Sequence, residues 1–460
     1  MIFNSYLFLL FFLPLTILLF NIKILKTYRQ DILITSSIIF YGYASLEHAI
    51  ILAINIASVY TLTSIKNYRN SKILPTIAIA IPAFSLIYYK YLGFFVSEII
   101  SITGYKKPDN YNFSLFDNIL LPAGISFFTF QLISFAIDHQ KGKHDDFPSL
   151  RKFALYISFF PQLVAGPIVR FNQISNQIDK IKNFLISKKD IEKAIFYITT
   201  GLTLKVTLAD TLSRTIQPII ANPDKASTIY ASFTILAYSF QIYFDFYGYS
   251  LMAIGLGLLF GVRLPVNFDR PYKSKNPKEF WRRWHITLSF WIRDYLYITL
   301  GGNKSYIRNI LIIFVVAGIW HGAGWNFILW GLIHGLLAAG YHWNKIFWDS
   351  APVFLQRMVT FTIISFAWLL FLFDFDELKR FFVSLVSGFG QTDLANPTLA
   401  NWSLVIASGL IAFIFDFNSA IEKSYRTKKK RIINALALSI LSILSFMLID
   451  ISDSFIYFRF

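Results

Sequence analysis

The chain contains no cysteine, which excludes disulfides, thiolate metal sites and a covalent S-acyl cysteine intermediate. Charge is the second scarcity. Asp, Glu, Lys and Arg make up 15% of the 460 residues, against about 25% in a soluble globular protein. Acidic residues are rarer than basic ones, 26 against 43, leaving a formal net charge of +17. Also missing is a basic run ahead of the first apolar segment, because Met1-Ile2-Phe3-Asn4-Ser5 carries no Lys or Arg. The N-terminus is therefore expected to open a retained span rather than a cleaved signal peptide.

Apolar residues fill the space. They make up 55% of the chain, and mean hydropathy is +0.52. They come in blocks approaching the roughly 20 residues that cross a ~30 Å hydrocarbon core as a helix. Backbone groups inside lipid must pair within their own segment, which predicts helices; a barrel would show shorter, alternating segments. The positive charge admits a nucleic-acid partner. The basic residues, however, stand in short loops between apolar blocks, as cytoplasmic loops of membrane proteins do. The lipid bilayer, not nucleic acid, is the expected partner.

Alternating the basic loops across the bilayer gives a consistent topology. A first span from Tyr6 to Asn21 is followed by Lys23, Lys26 and Arg29, which belong inside and leave the N-terminus outside. Spans are expected near 32–46, 49–65, 73–98 and 117–137, with the Lys66–Lys72 loop inside. The 150–169 block is interrupted by Pro161, Gly166 and Pro167 and reads as a re-entrant or broken segment. Spans near 194–209 and 228–260 lead to a basic loop from Arg263 to Arg283, then to an aromatic, amphipathic stretch at 284–300. Two short apolar runs, 309–320 and 325–341, are split at Gly318-Ile319-Trp320-His321-Gly322. Spans near 353–373 and 401–417 precede the cluster Arg426–Arg431, and a last span at 432–450 returns the C-terminus to the outside. The expected fold is an all-α polytopic membrane protein of about twelve crossings, one domain over 1–460, with both ends external.

Several ionisable groups interrupt this apolar pattern. His321 is one of seven histidines and stands inside an apolar run between Trp320 and Gly322. An intramembrane ionisable group marks a functional site by default. A neutral imidazole can take a proton from a hydroxyl, the task acyl transfer requires. The other reading is a packing histidine bonded to a neighbouring carbonyl. His285 closes Trp281-Arg282-Arg283-Trp284-His285. There arginine forks suit the phosphates of a nucleotide-bearing donor such as coenzyme A, while an aromatic belt with snorkelling arginines explains the same residues. Lys90, Lys205, Asp210 and Asp245 lie within apolar spans and need partners, with a structural ion pair the default. The terminal Phe455-Ile456-Tyr457-Phe458-Arg459-Phe460 offers a phenol of pKa about 10, whose acetyl ester is activated. Tyr457 is thus either an acyl relay or an aromatic anchor at the outer interface.

Taken together, these motifs resemble the membrane-bound O-acyltransferase (MBOAT) family, in its bacterial alginate and peptidoglycan O-acetyltransferase branch. The likeness is carried by Leu121-Pro122-Ala123-Gly124-Ile125-Ser126, Phe159-Phe160-Pro161-Gln162-Leu163-Val164-Ala165-Gly166-Pro167, Asn267-Phe268-Asp269-Arg270-Pro271-Tyr272, the Trp281–His285 motif, Arg293-Asp294-Tyr295-Leu296-Tyr297 and Trp320-His321-Gly322. One departure stands out: Gly248-Tyr249-Ser250 is followed by Leu251, where the branch commonly has an aspartate.

The resemblance implies a helical fold around a central funnel, with re-entrant or interfacial helices. It implies His321 as the catalytic residue, His285 as a second site residue and Tyr457 as an acyl-tyrosine relay. Acetyl-CoA is the implied donor, without a metal, with Arg282, Arg283, Trp284 and Trp320 at its site. A periplasmic SGNH-type acetyltransferase is the implied partner, at a bacterial inner membrane. The final acceptor would be a polysaccharide outside the membrane. Abundant Ile, Lys, Asn and Phe hint at an AT-rich genome and lean the acceptor towards peptidoglycan rather than alginate. Teichoic-acid D-alanylation and a carrier without covalent chemistry are the rival readings.

Overall fold

The computed structural model describes residues 1–104, 120–143, 146–388, 394–424, 428–449 and 455. Among these the regular elements are all helical. They fall into two compact units, Met1–Ala194 with Leu256–Pro265, and Ile195–Gly255 with Val266–Phe460.

In the first unit, phenylalanines from distant points of the sequence gather into one cluster. Phe160 packs against Phe12 at 5.5 Å, Phe40 at 5.6 Å and Phe8 at 6.2 Å. This cluster holds the segment that the sequence marked as broken. It runs as two short helices, Leu150–Ser158 and Phe160–Leu163, with Pro161 in the first turn of the second. The residues around the break are buried, so backbone groups freed there need partners inside the protein. The Phe160 amide donates to Ser37 Oγ (3.0 Å), and Gln162 Nε2 donates to the Tyr156 carbonyl (2.6 Å). Arg29 is buried and donates to the carbonyls of Phe20 (2.8 Å) and Phe184 (2.6 Å), so its charge is spent on architecture.

Among the described residues four helices are long and apolar enough to cross a membrane: Leu46–Ser64, Ile73–Thr103, Thr228–Leu259 and Val353–Leu372. The pair Leu7–Asn21 and Lys23–Gly42, bent by 99°, brings the number to five. Loop charge alternation had suggested about twelve crossings. Shorter apolar helices such as Leu399–Ile414, at 16 residues, fall short of a full span on their own and are not among these.

The second unit is organised by α1 (Thr228–Leu259), 32 residues apolar on every face, with 89% of its best span-length window buried inside protein. Its one carboxylate, Asp245, meets Lys205 at 2.7 Å, and Lys205 also meets Asp210 at 2.5 Å, all three side chains being buried. The expectation that these charges form an ion pair is met, and extended to a triad. Gly201 and Gly248 let the two backbones close on each other there, for a Cβ on either would strike the other's carbonyl oxygen.

After α1, the helices α2 (Pro277–Arg283) and α3 (Ile286–Ile292) are short and meet at His285. A hairpin follows, α4 (Tyr306–His321) and α5 (Trp325–Trp343), broken where the sequence placed its Trp-His-Gly run. Gly318 and Gly331 make the hairpin tight. A Cβ at Gly318 would overlap the Phe327 carbonyl, and one at Gly331 the Phe314 carbonyl. Small residues at such contacts are the usual means of bringing helices together where lipid offers no hydrophobic drive.

Candidate active site

The α2–α3 corner is set by Asn267, which is 1% exposed. Its side-chain oxygen accepts from the Thr287 amide (3.2 Å) and hydroxyl (2.9 Å), and its backbone carbonyl accepts from the Ile286 amide (3.0 Å). Immediately before these anchors His285 adopts a left-handed conformation, φ 44°, unusual for a residue with a side chain. Backbone strain of this kind persists only where the surroundings over-determine it, and it concentrates at functional sites. The His285 ring is fully buried, against Phe246 (centroids 4.7 Å apart) and Trp320 (5.8 Å).

His321 ends α4. Its ring is enclosed by Trp320 at 4.9 Å, Trp330 at 5.0 Å and Phe371 at 5.2 Å, all edge-on. Although only 2% exposed, it lines a mainly apolar cavity of about 390 Å³, together with Trp281, Leu288, Ser289, Phe314 and Ala317. The imidazole is thus buried yet reachable. Trp320 touches both histidines, which brings together the two that the sequence singled out.

The mouth of this passage adjoins a second, polar cavity of about 710 Å³, the two sharing Lys278, Arg282 and Tyr306. Lys345, His342 and Tyr341 also line it, as do Asp269, Glu279 and Arg283. The two arginines of the motif have different duties. Arg283 is committed to Asp269 (3.0 Å) and Glu279 (2.9 Å). Arg282 has no ion pair among the described residues and faces both cavities. Lys278 is held below the usual lysine range by burial first, then by the like charges of Arg282 and Lys345. Three cations crowded at one mouth, with the nearby carboxylates taken up by Arg283, leave a place for an anion.

The remaining expectations divide. Trp320 stands between the histidines. Trp284 sits in a closed aromatic cluster with Trp368 (4.8 Å), Phe268 (5.0 Å) and Phe280 (5.5 Å), and it is Trp281 that lines the passage. Leu251, where the branch commonly has a carboxylate, is fully buried in α1. Tyr457 lies outside the described residues. Phe455, two positions earlier, is 1% exposed and stacks on Tyr249 (4.7 Å) beside Phe246 (5.8 Å), the ring that also touches His285.

Three groups escaped the sequence argument. Lys278 lies one helical turn before Arg282 and so shares its face, a spacing that pointed to it. Trp281 was legible only as half of a tryptophan pair. His334 interrupts an apolar helix much as His321 does, and the same rule applied to it.

Residues 135–341, which contain both histidines and the residues lining the passage, match the family described as MBOAT, membrane-bound O-acyltransferase family. The peptidoglycan O-acetyltransferase of Helicobacter pylori is 34% identical over 414 residues, covering 81% of this chain and 77% of that one. This chain belongs to the membrane-bound O-acyltransferase family. It is an acyltransferase, and the carrier reading falls away. A probable alginate O-acetylase, AlgI, of Azotobacter vinelandii is also 34% identical, over 436 residues, 90% of this chain and 84% of that one. The teichoic acid D-alanyltransferase of Bacillus subtilis is 27% identical over 303 residues, 61% of this chain and 75% of that one.

Proposed function

We propose that this chain takes acetyl from cytoplasmic acetyl-CoA and passes it across the inner membrane for O-acetylation of an external polysaccharide, peptidoglycan in preference to alginate. The whole chain, 1–460, acts as one catalytic domain, with about twelve crossings around a funnel and both termini periplasmic. One observation carries the reading. A cation-lined mouth adjoins an apolar passage at whose wall stands the buried His321.

Lys278, Arg282 and Lys345 would hold the donor's phosphates, and the pantetheine arm would lie along the passage. His321, neutral, takes the proton of an acceptor hydroxyl. The hydroxyl oxygen bonds to the thioester carbonyl carbon, the C–S bond breaks, and the departing thiolate recovers the proton from the imidazolium. An acetyl ester and free CoA thiol result.

The charge of the passage favours acetyl over D-alanyl. Among the described residues its lining includes Lys278 and Arg282 and no carboxylate, so a D-alanyl ammonium group would enter against like charge. The Helicobacter pylori relative, a peptidoglycan O-acetyltransferase, supports the choice of acceptor.

The first acceptor in this reading is the Tyr457 phenol, and a periplasmic SGNH-type partner completes transfer to the sugar. The docking of Phe455 beside the ring that touches His285 supports it. Purified protein in detergent, given acetyl-CoA labelled in the acetyl group, should release thiol and leave label on the C-terminal peptide. Unimpaired polysaccharide acetylation in a Tyr457→Phe strain would dismiss the relay. Unchanged thiol release by His321→Ala would dismiss the base.

A further inference from the structure

Trp281 and His334 take no part in the proton transfer, yet Trp281 lines the passage and His334 is buried directly behind it. The Trp281 indole forms part of its wall, edge-on to Phe314 at 5.3 Å and to Trp330 at 5.5 Å. It is held at two points. Its Nε1–H donates to His334 Nδ1 at 3.3 Å, and its backbone carbonyl accepts from the Ser289 hydroxyl at 3.0 Å. Ser289 itself lines the passage.

His334 is fully buried on α5, four residues after Trp330 and so on the same helix face. The two rings lie 4.7 Å apart, and Trp330 in turn packs against His321. Accepting at Nδ1 requires a neutral imidazole with its proton on Nε2. A buried indole N–H is costly without an acceptor. His334 supplies that acceptor, where an apolar residue would fill the same volume and leave the indole free to turn.

We infer that the Trp281 indole sets the size of the acyl group admitted beside His321, and that His334 is the positioning residue that locks this indole in place. The inference rests on the donor passage proposed above and adds to it the length of the transferred group. A fixed aromatic wall excludes added methylenes, each of which changes the selectivity of an apolar pocket by roughly 10- to 200-fold. Removing the wall opens room along the passage without touching the imidazole.

The test uses full-length protein in detergent with acetyl-, propionyl- and butyryl-CoA, reading released thiol. Mass analysis of the O-acyl esters on polysaccharide from cells carrying each variant runs in parallel. Trp281→Ala should raise the butyryl-to-acetyl ratio of kcat/KM by about tenfold or more. The milder Trp281→Phe, which keeps an aromatic ring in the core, should raise the propionyl ratio. His334→Phe should shift the profile in the same direction, and His334→Asn, whose amide oxygen can accept near the Nδ1 position, should restore the parent ratio.

A parent ratio in Trp281→Phe, the variant expected to keep the fold, overturns the wall. A shifted ratio in Trp281→Phe with a parent ratio in His334→Phe, or no rescue by His334→Asn, overturns the positioning role. If the parent protein releases no thiol from any acyl-CoA, the donor reading fails on its own, and the ester masses decide the wall. Propionyl or butyryl esters in Trp281-variant cells sustain it; acetyl esters alone remove it.

Discussion

Asn267 and Thr287 are joined twice, the asparagine oxygen accepting from both the amide and the hydroxyl of the threonine. That double link fixes the backbone two residues after His285, which stands in a left-handed conformation. Asn267→Ala removes the acceptor and leaves two donors unmatched in a buried corner. The expected cost is about 1–3 kcal/mol, read as a lower melting midpoint in detergent, with a loss of turnover beyond what the folded fraction explains.

His321→Gln keeps a polar side chain at the end of α4 but removes the base. Turnover should fall by roughly 10²- to 10⁴-fold, while melting and the KM for acetyl-CoA stay near the parent values. Equal loss of stability and turnover would make His321 a packing residue, the alternative its sequence context left open.

The neighbouring arginines should separate cleanly. Arg282→Ala should raise the KM for acetyl-CoA by about tenfold, weaken the salt dependence of KM and leave stability alone, since losing a charge-assisted bond to an anion costs roughly 1.5–3 kcal/mol. Arg283→Ala should do the reverse. It breaks links to Glu279, a quarter exposed, and to Asp269, 43% exposed, which are worth about 1 kcal/mol after solvent screening.

Lys278 gives the site a pH dependence. Its pKa is lowered in the fold by burial and by Arg282 and Lys345, so its charge is complete below that value and lost as pH rises through it. Affinity for an anionic donor should therefore fall in the alkaline range, at lower pH than free lysine would dictate, and Lys278→Arg should flatten the profile. Stability of the empty protein has the opposite sign. Between the lowered pKa and the ordinary lysine value the unfolded chain binds more protons, so stability contributed by this group rises with pH. Melting and KM measured over the same pH series would check both signs.

Lys205 and Asp245 form a buried link 2.7 Å long, shared with Asp210. Lys205→Met strands two carboxylates in the core and should cost about 3–5 kcal/mol, whereas replacing all three by apolar residues of similar size should cost far less. Melting of the single and triple variants compares the two. Equal destabilisation would mean that the triad acts through more than charge balance.

Much of this was legible in the chain itself. Low charge and long apolar blocks dictated helices because lipid offers backbone groups no partner, and the break at Trp320-His321-Gly322 fell where α4 ends. The need of Lys205 and Asp245 for partners could be read because a lone charge in an apolar span is costly. Composition also marked His321, since an imidazole in an apolar run is conspicuous.

Only the tertiary structure decided which side chains meet. The sequence shows Arg282 and Arg283 as equals, and both line the polar cavity, but only Arg282 also lines the apolar passage, while Arg283 is tied to Asp269 and Glu279. It shows Trp281 and Trp284 as a pair, yet one lines the passage and the other is packed among Phe268, Phe280 and Trp368. The partnership of Trp281 with His334 joins residues 53 positions apart, and its existence depends on α2 lying against α5. Local pattern fixes what a segment must bury; the angle and depth at which helices pack fix what each buried group will touch.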